Sequence, residues 1–564
     1  MSIHPPRTAV AALAVAAALV AGCGSSAGGG GGGRGELRAS DVNPTPREQL
    51  RQGGVMRWAI EEFPAQLNLN QIDGTTDAAA QVAFAVMPRP FHGDDEARIT
   101  PNRNYVASAS VTATDPSQVV TYELNPQARW SDGKPITWRD YAAQWRALRD
   151  PDGDFRIASS TGYERIASVT AGEDDFEVVV TFARPFGDWR SLFDPLYPQS
   201  VNDDPRRFDT AYAGRLPVTG GPFRVRRIDE TTKTITLERN PAWWGERALL
   251  DAIVFRTLPD DAIVSAFANG EVDFGDIGPD AAQYQRALGV GDGEVRQAGG
   301  PDFRHFTFNG TGPILRDVRV RRAVAMAIDR EVITRADLTG LDWPVRTMGN
   351  HFLVNTQAGY ADNSGDVGRF DPDRAAALLD EAGWTRDGAL RRKDGRTLAL
   401  RFVIPSGVAT SRREAELAQG MLRDVGIRLD IRTVPNEDFF EKYVTPGNFD
   451  ITAFSWLGTP FFVSSAKSIY VSPTRGEDGE LQIQANYARI GSERLDALLT
   501  QAEQEVDRDR ALQLVNEADR LVWDSVHSIV LYQRPQITAV RRALANVGAF
   551  GLAYKRYEDI GLER

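Results

Sequence analysis

Few residues in this chain could do covalent or metal chemistry. Five histidines, His4, His92, His305, His351 and His527, and one cysteine, Cys23, occur in 564 residues. None of the histidines stands at metal-ligand spacing from another histidine, a cysteine or a carboxylate, so a zinc site is not expected. A Gly-x-Ser-x-Gly elbow for acyl transfer is lacking. The glycine-rich stretch Val218-Thr219-Gly220-Gly221-Pro222-Phe223 ends in proline rather than Gly-Lys, which makes it a tight turn and not a phosphate cradle. A carboxylate pair of the glycosidase kind leaves no local spacing, and most of the 77 acidic residues read as a solvated surface. The expectation is a protein that is not an enzyme and carries no cofactor.

Two features suggest anchoring and binding instead. Cys23 closes Val20-Ala21-Gly22-Cys23, directly after the small-apolar run 9–20. The run reads as the core of a signal peptide, and its end resembles the lipobox at which bacterial lipoproteins are cut and their new N-terminal cysteine is acylated, for instance with palmitate. Residues 1–22 are then the signal peptide. Residues 23–50 are the lipidated cysteine and a tether that begins Gly24-Ser25-Ser26-Ala27 and continues with six glycines, a composition that stays flexible. Twelve apolar residues are too few to span a hydrocarbon core of about 30 Å. The second feature is the loop Trp456-Leu457-Gly458-Thr459-Pro460-Phe461-Phe462, an aromatic cluster beside glycine and proline. Each ring alone is more simply a core residue; together on one loop they are hard to bury completely.

Charge excludes one class of partner. A formal net charge of −12 is the opposite of the basic footprint that nucleic acid demands. About 520 residues follow the tether, more than a single core accommodates, so two or more domains are expected.

The elements that must position the aromatic loop are readable in the C-terminal half. Residues 397–404 have a strand pattern, 412–425 a helical pattern closed by Gly426, and 427–432 alternate apolar and charged side chains. Strand, helix and strand with a crossover make a parallel βαβ unit. A short helix from Glu437 and a strand over 450–455 extend it. Asp371-Pro372 starts a further helix that Gly383 stops. Ligands of open α/β sheets bind beyond the carboxyl ends of the strands, which selects the loop from Trp456 as the candidate site. Upstream, 119–124, 178–182 and 235–237 read as strands between turns.

Four further segments carry a family resemblance. They are Trp130-Ser131-Asp132-Gly133-Lys134-Pro135-Ile136-Thr137 before a helix with Tyr141, Trp145 and Leu148; Thr219-Gly220-Gly221-Pro222-Phe223; Arg239-Asn240-Pro241-Ala242-Trp243-Trp244-Gly245; and Phe308-Asn309 with Asp317-Val318-Arg319-Val320-Arg321-Arg322-Ala323-Val324 and Ala327-Ile328-Asp329-Arg330. Each is structural when read from the residues: Asp132-Gly133 suits a tight turn, Asp317 an N-cap, and Val320, Val324 and Ile328 one helix face. Together they resemble the peptide, dipeptide and nickel class (family 5) of ABC-transporter solute-binding proteins over nearly all of the mature chain.

The resemblance implies a type II, periplasmic-binding-protein-like α/β fold of two lobes. The first lobe would comprise 51–97, 215–309 and a return over 531–564, enlarged by an extra subdomain over 98–214; the second would be 310–530. Chain crossings would lie near 306–309 and 530–533. A small-molecule or oligopeptide ligand would be enclosed between the lobes, at Trp456, Leu457, Gly458, Thr459, Phe461 and Phe462. The partners would be the permease subunits of an ABC importer. The body would be a monomer outside the cytoplasm, held to the membrane only through Cys23.

The resemblance also exposes a departure. Peptide-binding members place an aspartate shortly after the tryptophan of this loop, to pair with the peptide's α-ammonium, whereas here Thr459 stands there. A hydroxyl does not neutralise a buried ammonium, and leaving one unpaired costs several kcal/mol. Either another acid serves, Asp438 or Asp450 being candidates, or the ligand has no free amine. Three classes stay open: a transport receptor, a family-fold lipoprotein acting as regulator or scaffold in envelope glycan or lipid assembly, and a hydrolase.

Overall fold

A computed structural model describes residues 36–476 and 479–564; the signal peptide, Cys23 and most of the tether lie outside the described residues. The backbone is built on one mixed ten-stranded sheet in two halves. In the first half, Val55–Ile60 lies between Ala252–Thr257 and Phe274–Asp276, parallel to both. The hairpin Phe223–Asp229 and Thr234–Arg239 extends this half outward. In the second half, Ala399–Pro405 lies between Arg428–Val434 and Ile451–Leu457, again all parallel. The helix Ala409–Asp424 connects the first two of these strands and ends before Gly426, whose φ of 87° needs no Cβ. This is the βαβ unit that the sequence pattern predicts.

Two long antiparallel strands, Gly293–Phe308 and Ser528–Arg541, join the halves and pass through both. Their pairing is interrupted between Gly299 and Phe303, opposite Pro535 and Gln533. A bulge of this kind bends a strand locally, and this one lies between the two halves of the sheet.

Beside the first half stands a separate four-stranded antiparallel sheet made of Val106–Ala113, Val119–Leu124, Glu177–Phe182 and Ile166–Ala171, in that order. The helix Trp138–Leu148 packs on it, burying Tyr141, Trp145 and Leu148. Thr137 and Asp140 close a capping box at its start, with Thr137 N–H donating to Asp140 Oδ2 at 2.9 Å. The Trp-Ser-Asp-Gly segment before it is a tight turn with Gly133 at φ 86°. Its indole is buried in the first-lobe core. Asp317 caps the helix Val318–Met326 as expected, and Val320, Val324 and Ile328 are buried in the core of the second lobe.

One boundary differs from the sequence reading. Trp456 and Leu457, expected in the loop after the strand, are its last two residues, held by pairing to Phe303 and Asp302 of the long strand. That partner lies far away in the chain, so local pattern does not reveal it.

Candidate functional site

The three parallel strands of the second lobe end at Pro405, Val434 and Leu457. Leu457 pairs with Asp302, so this carboxyl-end edge faces the bulge and, across it, the first lobe. The first lobe's strands end at Ile60, Thr257 and Asp276. Asp276 pairs with Thr538 and accepts from Gln536 Nε2 at 3.2 Å, so this edge also abuts the bulge. The carboxyl ends of both half-sheets therefore border one cleft, the arrangement in which open α/β sheets bind ligands.

Its floor is hydrogen-bonded. Gln533, buried, donates to Gly300 O at 2.8 Å and to Thr356 Oγ1 at 2.9 Å. Gly458 N–H donates to Pro301 O at 2.6 Å, and a side chain there would press on that carbonyl and on Val354. Asp302 pairs with Arg534 beside it.

Alternation sends the two residues before Gly458 to opposite faces of the sheet. Leu457 has 67 % of its surface exposed, the highest value among the exposed large apolar residues. Trp456 is half-buried and sits among rings: it stacks with His305 at 5.9 Å, and it meets Phe454 edge to face at 5.1 Å. Thr459 is committed locally, its Oγ1 accepting from Phe461 N–H at 3.1 Å and its carbonyl accepting from Gln357 Nε2 at 3.1 Å. Phe461 and Phe462 sit further along, where the extra subdomain touches the second lobe beside Ile99, Gly187 and Arg190. Phe462 is buried there, and the Arg508 guanidinium lies over its ring.

Further polar contacts join the same two parts of the chain. Asp188 accepts from Ser464 N–H at 2.9 Å, and Gly187 N–H donates to Glu503 O at 2.7 Å. The Glu503 carboxylate pairs with Arg165 of the extra subdomain and with Lys467.

Both acids offered as substitutes at Thr459 have partners within the protein. Asp450 stands at the opposite end of the strand from Trp456 and is held by Arg401, including its N–H at 2.8 Å. Asp438 pairs with Lys442 at 2.7 Å. The acids at the cleft belong to the first lobe: Glu61 follows Ile60, Asp276 ends its strand, and Asp77 starts the helix Asp77–Val86. Partial desolvation of this exposed side chain at the strand end, with Asp260, Asp276 and Asp77 nearby, raises the Glu61 carboxyl. Asp276, exposed at its strand end, is raised too, by desolvation of its carboxyl with Asp77 and Asp302 adding. These acids sit at scattered strand ends, so no spacing announces them. Among the described residues no group of three or more metal-ligating side chains comes together.

Residues 104–478 match the family described as bacterial extracellular solute-binding proteins, family 5 Middle. The chain belongs to this family. The oligopeptide-binding protein OppA of Mycobacterium tuberculosis is 40 % identical over 531 residues, which cover 93 % of this chain and 87 % of that one. Among solved structures, the periplasmic EDTA-binding protein EppA superposes on the family 5 chain with a TM-score of 0.82 at 25 % identity, covering 94 % of this chain and 99 % of EppA. The oligopeptide-binding protein AppA of Bacillus subtilis, in complex with a nonapeptide, shares the fold with a TM-score of 0.71 at 18 % identity, over 91 % and 100 % of the two chains. Like its relatives, the family 5 protein is a two-lobed α/β protein of extracytoplasmic solute-binding type.

Proposed function

We propose that this family 5 protein is the receptor of an ABC importer, capturing oligopeptides in the cleft between its lobes and delivering them to the permease subunits. The 40 % identity to an oligopeptide-binding protein along nearly the whole chain carries the reading. A cleft bordered by both half-sheets, with Trp456 and Leu457 at its edge, agrees with it. In this reading the lobes divide as 51–97, 98–214, 215–309 and 531–564 against 310–530, and they turn about the bulge at 299–303. The protein acts as a monomer without catalysis. Cys23 holds it to the outer face of the membrane; no helix among the described residues is long and apolar enough to cross one.

The reaction is binding coupled to closure. A ligand that touches both lobes favours the closed form by its differential contacts alone, and the closed form is what the permease would read. Mass spectrometry of ligand released from the purified full chain tests this. Peptides are expected in the released fraction. A fraction free of peptides, together with no calorimetric binding of any member of a nonapeptide library, overturns the reading and favours the scaffold role.

A further inference from the structure

The two edges of the cleft differ in chemistry. On the second lobe, the segment following the strand Arg428–Val434 exposes Phe440. Phe440, 45 % exposed, meets Phe454 at 5.3 Å and Tyr487 at 6.1 Å, and those rings continue through Trp456 to His305. Apolar surface left open to water costs about 25 cal/mol per Å², so a shelf of this kind in a cleft favours an apolar occupant. Within the stack His305 is 1 % exposed, with Nε2 beside Thr307 Oγ1 at 2.9 Å and Nδ1 without a partner among the described residues. Burial and Arg304 hold its pKa well below the ordinary value, so the ring is neutral. Across the cleft, Glu61 and Asp276 stand at the carboxyl ends of two neighbouring parallel strands, paired through Trp58 and Phe274, and Asp77 opens the helix Asp77–Val86.

Resting on the receptor reading above, we infer that the cleft selects peptides that are both cationic and aromatic: the peptide's ammonium or guanidinium group meets Glu61 and Asp276 of the first lobe, and its aromatic side chain lies on Phe440 and Tyr487 of the second. Such a ligand ties the two edges together, so the same contacts that give selectivity also favour closure.

The test uses nonapeptides of alanine and serine carrying one lysine and one phenylalanine, with companions in which lysine becomes glutamine or glutamate, or phenylalanine becomes alanine. Calorimetry on the full chain is expected to show about tenfold weaker binding for each single loss, the size of an ordinary interface anchor, and still weaker binding for the glutamate peptide. Phe440→Ala should weaken only the phenylalanine peptides. Glu61→Gln and Asp276→Asn should weaken only the lysine peptides; Phe440 and Glu61 are exposed, so their variants fold. Equal affinity across the set, or losses unrelated to the matching peptide, overturns the inference while peptide capture stands. Failure of every peptide to bind overturns the receptor reading and this inference together.

Discussion

The rings of Trp456 and Tyr487 lie 5.8 Å apart with their planes 4° from parallel. Tyr487 reaches this position from a segment outside the parallel strands, so a residue at a sheet edge is clamped by one that the sheet does not hold. Trp456 also packs against three apolar clusters of the second lobe. Its removal therefore disturbs fold and site together, and Trp456→Ala is expected to lower stability by about 2–4 kcal/mol. Trp456→Phe separates the two roles. The smaller ring still fills the stack, so thermal melting should shift by only a few degrees. Calorimetric affinity for a bound peptide should fall about tenfold. Normal affinity at a normal melt removes Trp456 from the site.

Thr459→Asp is expected to change little. An aspartate, like the threonine, accepts from a backbone N–H two residues on, so its carboxylate stays engaged with Phe461. Binding of free-amine peptides relative to N-acetylated ones should rise by less than about threefold, less than 1 kcal/mol. A tenfold gain would assign ammonium recognition to this loop rather than to the first lobe.

Loss of the contact between Asp188 and Ser464 should loosen closure. Asp188→Ala leaves the Ser464 N–H without its acceptor only when the lobes are together, which disfavours the closed form by about 1 kcal/mol. Small-angle scattering of the ligand-free variant should give a larger radius of gyration than the parent, and peptide affinity should fall severalfold. Identical scattering curves for variant and parent would show that this contact has no part in closure.

Asp337 predicts a pH dependence of stability. It is buried beside Glu414, which is fully buried and bidentate to Arg304, while Arg413 at 3.1 Å and the Tyr532 hydroxyl at 3.3 Å face it from other elements. Burial and the Glu414 charge push its carboxyl up to about 7, against the pull of Arg304 and Arg413. A carboxyl whose folded pKa exceeds the unfolded one stabilises the fold at low pH. That contribution fades as pH rises from about 4 towards 7, each unit being worth about 1.4 kcal/mol. Asp337→Asn should flatten this slope in denaturant melts across the same range. An unchanged slope would assign the titration elsewhere.

Cys23→Ala should move the protein from the membrane fraction to the soluble one, because a glycine tether has a use only if its end is held. Retention of that variant in washed membranes would rule out the anchor.

Local chemistry was legible in the sequence wherever near neighbours decide it. The Asp132-Gly133 turn, the Asp371 and Asp317 caps and the strand–helix–strand order around 399–434 all follow from spacing and residue type. Positions set by distant partners were not. Trp456 is strand because Phe303 pairs with it. Phe440 and Tyr487 share a shelf through folding alone, and Glu61 and Asp276 meet because parallel strands end together. The departure at Thr459 was visible from resemblance, whereas the acids at the first lobe's strand ends show only in the fold.

The strand Ser528–Arg541 has a consequence for how the protein is made. It lies between Gly293–Phe308 and Phe274–Asp276 at the centre of the sheet, and the last residues, Gly561–Glu563, pair with Leu50–Arg51 near the start. This half of the sheet is thus completed by strands from distant parts of the chain. Until Ser528–Arg541 arrives, one side of Phe274–Asp276 is an open edge of the kind that recruits other chains, and contacts this distant in sequence form slowly. A secreted chain built this way spends its most vulnerable interval outside the cell with its first lobe unclosed.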